Sequence, residues 1–199
     1  MKSNVYALEK NEKDFSNIPN ESQKTAEYNG LDRKSTMRLR LLSEELICML
    51  PELLNYGTGE FWIESHGKNY ELHLKVEARD HFDVDMDKIL SVSKSGKNAA
   101  AKGIINKICI AVDCMLSDRA KLAEADPYSF YTMGMSDHSG TASWSLLDYR
   151  NNLQNSSASD SKEEDWDELE KSIIANLADD VIVGVIGRKI NIVIKKAFN

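Results

Sequence analysis

The sequence predicts an α+β fold, a two-layer α/β sandwich with a mixed, mainly antiparallel sheet and helices on one face. Three observations predict it. Residues 35–54 and 102–116 each carry a single apolar stripe at helical spacing. Residues 69–78 and 189–197 read as strands, and the first of them alternates Tyr70, Leu72, Leu74 and Val76 with Glu71, His73, Lys75 and Glu77. Each apolar stripe needs a surface to cover, and a sheet with one buried face supplies it.

The elements follow in order. Residues 5–8 suit a short first strand. Residues 15–28 hold a weak helical pattern interrupted by Pro19, and Gly30 ends it. Asp32 is an N-cap residue for the long second helix. Along that helix Leu39, Leu42, Leu46, Leu50 and Leu53 form the buried face, Glu45 lies at its edge, and Glu44 points away into solvent. Pro51 removes one backbone hydrogen bond, so a kink or early end is expected over residues 47–50. Strands at 60–65 and 69–78 flank the turn His66-Gly67-Lys68.

Residues 124–143 read as irregular, 144–153 as a short helix, 155–165 as a flexible acidic linker, and 166–177 as a helix. Strands at 181–186 and 189–197 close the chain around Gly187-Arg188, a turn with Gly first as a type II′ hairpin requires. No internal repeat is visible. The expected organisation is one domain over residues 1–199, with an irregular insertion at 117–165.

Composition sets the class. The chain has 199 residues, 42% hydrophobic and 29% charged, which describes a globular protein with one sizeable core. A net charge of −7 argues against general affinity for nucleic acid or an anionic membrane, so neither is expected as a partner. The first residues hold no apolar core of signal-peptide length, and the longest apolar run, residues 181–186, is far too short to span a bilayer. A cytoplasmic protein is expected. Cys48, Cys109 and Cys114 suit a reducing compartment and read as small buried hydrophobes.

Few motifs carry chemistry. Asp83, Asp85 and Asp87 alternate as at the start of a calcium loop, but Lys88 stands where the loop needs Gly and Lys94 where it needs Glu. His66, His73, His81 and His138 have no metal-ligand spacing, and no metal site is expected. The segment before the helix at 102–116 is more telling. Lys94, Ser95, Gly96, Lys97, Asn98, Lys102 and Gly103 combine positive charge, close backbone approach and free helix N–H groups, the ingredients of a phosphate site. Asn98 after Gly96-Lys97 excludes a Walker A loop. Glu45, beside the core stripe, is the candidate general base.

The order of Gly30-Leu31-Asp32, a long helix containing Glu44-Glu45, a hairpin, a Gly/Lys-rich loop and a helix beginning Gly103-Ile104 resembles the GHKL (histidine-kinase-like, Bergerat) ATPase fold. Anti-sigma-factor serine kinases are the nearest in style. The resemblance covers residues 5–116 and the closing hairpin. It implies a bacterial-type signalling protein with ATP or ADP as ligand, Glu45 as catalytic base and Lys94 to Gly103 around the phosphates. The chain departs from the family at two places. The magnesium-ligand Asn, four residues after the catalytic Glu, is replaced by Met49 (by Cys48 if Glu44 is that Glu), and neither offers oxygen to a hard cation. The adenine-binding glycine motif has no counterpart, since residues 79–87 contain no Gly. The expected function is a GHKL-like ATP-binding or degenerate regulatory module acting through a protein partner. The alternative is an active anti-sigma-factor-like serine kinase or ATPase.

Overall fold

A computed structural model describes residues 1–9, 15–53, 57–78, 103–116, 135–138, 141–155 and 160–198. In chain order the elements are β1 (Tyr6–Leu8), α1 (Asn17–Tyr28), α2 (Arg33–Leu53), β2 (Gly57–His66), β3 (Asn69–Ala78), α3 (Gly103–Leu116), β4 (Met135–His138), β5 (Thr141–Ser145), α4 (Leu146–Asn155), α5 (Asp160–Lys171), α6 (Ile173–Leu177), β6 (Asp180–Ile186) and β7 (Lys189–Ala197). The fold is α+β. Its seven strands run in the order β1-β2-β3-β7-β6-β5-β4, and every described pairing is antiparallel, where a mixed sheet was expected. Three of the six neighbouring pairs, β2–β3, β4–β5 and β6–β7, are hairpins; β1–β2 and β5–β6 are joined through helices, and β3–β7 joins the two halves of the sheet.

One face of this sheet is the core. Phe61, Leu74, Ile192, Val183 and Trp144 are successive register partners across five strands and form a continuous buried row. Ile63, Leu72, Ile194 and Val181 form the next row. Leu39, Leu42, Leu46, Leu50 and Leu53 of α2 and Ile104, Ile108, Ala111, Val112 and Met115 of α3 close over them in one cluster. The helical stripes therefore found the partner their spacing required. The opposite face carries Glu60, Trp62, Glu64, Glu71, His73, Lys75, Asn191, Val193 and Lys195, all exposed or half-buried.

Local chemistry explains the boundaries. Pro19 sits in the first turn of α1, where its missing N–H costs nothing, so it starts the helix instead of interrupting it. Asp32 caps α2 as expected: Oδ1 accepts from the backbone N–H of Lys34 at 2.8 Å and of Ser35 at 3.1 Å, and Oδ2 accepts from Ser35 Oγ at 2.6 Å. The helix continues through Pro51 to Leu53 rather than ending near residue 50, because Leu50 and Leu53 are fully buried and packing outweighs one lost hydrogen bond. Gly67 and Gly187 occupy equivalent places in the two hairpin turns, with φ of 62° and 60°.

The second half of the chain differs more from expectation. Residues 135–138 and 141–143, read as irregular, fall in β4 and β5, a short polar hairpin whose second strand pairs onto β6. Trp144 belongs to β5 and not to a helix, and the helix after it begins at Leu146. Ser145 Oγ accepts from Asp148 N at 3.2 Å and so caps α4. The acidic tract at 155–165 is helical from Asp160 onward, and residues 156–159 lie outside the described residues. The helix expected at 166–177 is two helices, broken at Ser172, whose side chain accepts from Ala175 N and caps α6.

The described topology contains a repeat that the sequence hides. Strand, helix, helix and hairpin occur as β1-α1-α2-β2-β3 and again as β5-α4, α5 with α6, β6-β7. The two units meet antiparallel at β3 and β7, with His73 opposite Val193 near the middle of that pairing.

Candidate functional site

The helix layer holds Glu45. It lies on α2 one residue before the fully buried Leu46 and is itself half-buried. Burial first, and the neighbouring Glu44 charge second, push its carboxyl above the ordinary glutamate range. A carboxyl so placed holds a proton more readily than a surface one, which suits a general base. Glu44 is tied to Arg40 at 2.9 Å, and Arg40 Nη1 also donates to Gln23 of α1 at 2.7 Å. Deeper in the same contact the Ser22 and Ser43 hydroxyls hydrogen-bond to each other; one donates that bond and the other is left to donate to its own helix carbonyl, Ile18 O for Ser22 or Leu39 O for Ser43. These contacts tie α1 to α2.

α2 packs against α3, whose first residue is Gly103. The start of α3 is thus in the same helix layer as Glu45. Lys94, Ser95, Gly96, Lys97, Asn98 and Lys102 lie outside the described residues, as do Asp83, Asp85 and Asp87 and the side chains of Cys48 and Met49. Cys114 is buried, and burial followed by the Asp113 charge pushes its thiol up to about 12, so it is an inert core residue as expected. Cys109 is half-buried rather than core.

The open sheet face holds a group that sequence spacing missed. Trp62 and His73 are register partners, and their rings stack at 4.8 Å with planes 2° apart. Lys2 Nζ lies 4.6 Å from the Trp62 ring centre. One position along, Glu64 is the register partner of Glu71, two residues before His73 on β3. Trp62 Nε1 donates to Glu64 Oε1 at 2.8 Å, and this hydrogen bond chiefly holds the Glu64 carboxyl below its usual range. Burial lowers His73, against the opposing pull of Glu64 and Glu71. His73 Nε2 is 3.3 Å from Glu71 Oε2 but badly aligned, so this buried nitrogen makes no hydrogen bond. The signal was present in the sequence. A turn at Gly67-Lys68 sets 66 opposite 69, and hence Glu64 opposite Glu71, while period-two alternation puts His73 on the same face.

No family model, curated protein or solved structure matches the chain. Among the described residues no helix is long and apolar enough to cross a membrane.

Proposed function

We propose that this chain is a GHKL-like nucleotide-binding or degenerate regulatory module that acts by binding another protein. The arrangement that carries the reading is the closing hairpin β6–β7 laid beside the first hairpin β2–β3, with α2 and α3 together over the face they share. The resemblance itself rests on the sequence order of Gly30-Leu31-Asp32, the glutamate helix, a hairpin, the Gly/Lys-rich segment and the helix at Gly103, and this packing is compatible with it. Two further features agree with it: Asp32 caps the glutamate helix directly after Gly30-Leu31, and Glu45 sits half-buried beside the core. Gly103 stands at the head of α3, where a helix N-terminus carries partial positive charge that favours an anion, and the lysines before it in sequence add to that charge.

ATP or ADP is the proposed ligand, with magnesium contributing little because Met49 stands at the metal-ligand position. Loss of that ligand and of the glycine motif favours regulation by contact over turnover. The raised Glu45 carboxyl is the one observation that favours the alternative, an active serine kinase or ATPase. Calorimetry with ATP, with and without magnesium, tests the proposal. Weak binding that magnesium hardly changes is expected, and it should disappear in the Lys97→Ala/Lys102→Ala variant. Tight, strictly magnesium-dependent binding would refute the degenerate reading, and binding retained in the double variant would move the phosphate site elsewhere.

A further inference from the structure

The open sheet face, opposite the helix layer, places Glu64, Glu71 and His73 so that one ligand atom from each lies within 4.8 Å of the others. From this juxtaposition we propose that the three side chains bind a divalent transition-metal ion, zinc in the first place.

The argument starts with the register. Glu64 and Glu71 are directly opposite on neighbouring antiparallel strands, and like charges in that relation destabilise a sheet unless a cation lies between them. The nearby ammonium groups serve that purpose poorly. Lys2 Nζ is 3.8 Å from Glu64 and Lys195 Nζ 4.0 Å from Glu71, and both lysines are about half exposed. Exposed pairs at such distances contribute little.

The third donor decides the kind of cation. His73 Nε2 is shielded from solvent and without a hydrogen-bond partner, a condition a metal bond relieves. An imidazole nitrogen beside two carboxylates selects zinc and its neighbours over magnesium or calcium, which take oxygen. The set is also held in place: Trp62 stacks on the His73 ring and donates to Glu64, which restrains two of the three donors from behind. A spread of 4.8 Å between donors needs only small side-chain rotations to reach zinc bonds of about 2.0–2.2 Å. Three protein donors leave a fourth position for water or for a partner's side chain. This site is independent of the nucleotide reading, because it stands on the other face of the sheet and shares no residue with it.

The test is calorimetric titration of the full chain with Zn²⁺ alone, beside Glu71→Gln, His73→Asn and Lys2→Ala. The wild type should bind one ion, and Glu71→Gln and His73→Asn should each bind at least about tenfold more weakly, the usual scale for disturbing a metal site. Lys2→Ala should bind zinc about as the wild type does, since its exposed pair with Glu64 contributes little and Lys2 is not a ligand. Thermal melts separate ligand from scaffold. Without zinc, Glu71→Gln should melt no lower than the wild type, because it relieves the facing charges; with zinc, the wild type should gain stability and the variant should not. No zinc binding by the wild type, or equal affinity in Glu71→Gln and His73→Asn, would overturn the proposal. So would a loss of affinity in Lys2→Ala as large as that in Glu71→Gln.

Discussion

Ile192 and Val193 are adjacent on β7 and point to opposite faces of the sheet, so truncating each to alanine tests which face is the core. Ile192 is 1% exposed and sits at the centre of the row from Phe61 to Trp144. Val193 is half-buried on the open face, opposite His73. Ile192→Ala removes buried carbons and leaves a cavity that the flanking Leu74 and Val183 fill only in part, so a loss of about 2–5 kcal/mol is expected. For a chain of this size each kcal/mol moves the melting temperature by about 2–4 °C, which gives a fall of roughly 4–20 °C. Val193→Ala removes less carbon from a surface already partly in water, and about 1 kcal/mol or less is expected. Urea unfolding followed by circular dichroism measures both, and the denaturant slope checks that the unfolded state is comparable. Equal losses for the two variants, or a larger loss for Val193→Ala, would refute the one-sided core and the placement of the helices.

Three other outcomes follow from local geometry. Gly57→Ala would place its Cβ 1.7 Å from the Glu77 carbonyl oxygen, a backbone atom that cannot swing away, so β2 and β3 must separate at that end and a loss of about 1–3 kcal/mol or more is expected in thermal melts. Asp32→Ala should lower the melting temperature by removing the α2 cap. Because the Ser35 hydroxyl and N–H depress the Asp32 carboxyl, its contribution is present above the unfolded value and lost as pH falls through the folded one; the variant and the wild type should converge in acid. Glu45 behaves in the opposite sense. Its folded value is raised, so it favours the folded state only while protonated and loses that contribution as pH rises through the folded value. Glu45→Gln should therefore be more stable than the wild type at neutral pH, with the difference vanishing at low pH, as measured by melts across that range.

Much of this protein was decided by short-range pattern. The stripe of five leucines, the Asp32 cap, the alternation along β3 and the two Gly-led hairpin turns are each properties of a few neighbouring residues, and they specify α2, β2–β3 and β6–β7 without help from the rest of the chain. Glu45 was legible as an edge carboxylate for the same reason, since helical angles alone place it beside the stripe. The tertiary structure decided what depends on distant partners. β4 and β5 are too short and polar to announce themselves and exist because β6 offers an edge, which also turns Trp144 from an apparent helix residue into the end of the core row. α2 outlasts Pro51 because Leu50 and Leu53 are fully buried in the core. The pairing of β3 with β7 could not be read locally, since it joins residues about 120 apart, and it is what unites the two repeated units in one sheet. The Glu64, Glu71 and His73 group lies between these cases. A two-residue turn fixes the register that brings the carboxylates face to face, but only the folded sheet places the described helices on the opposite face and stacks Trp62 against the histidine.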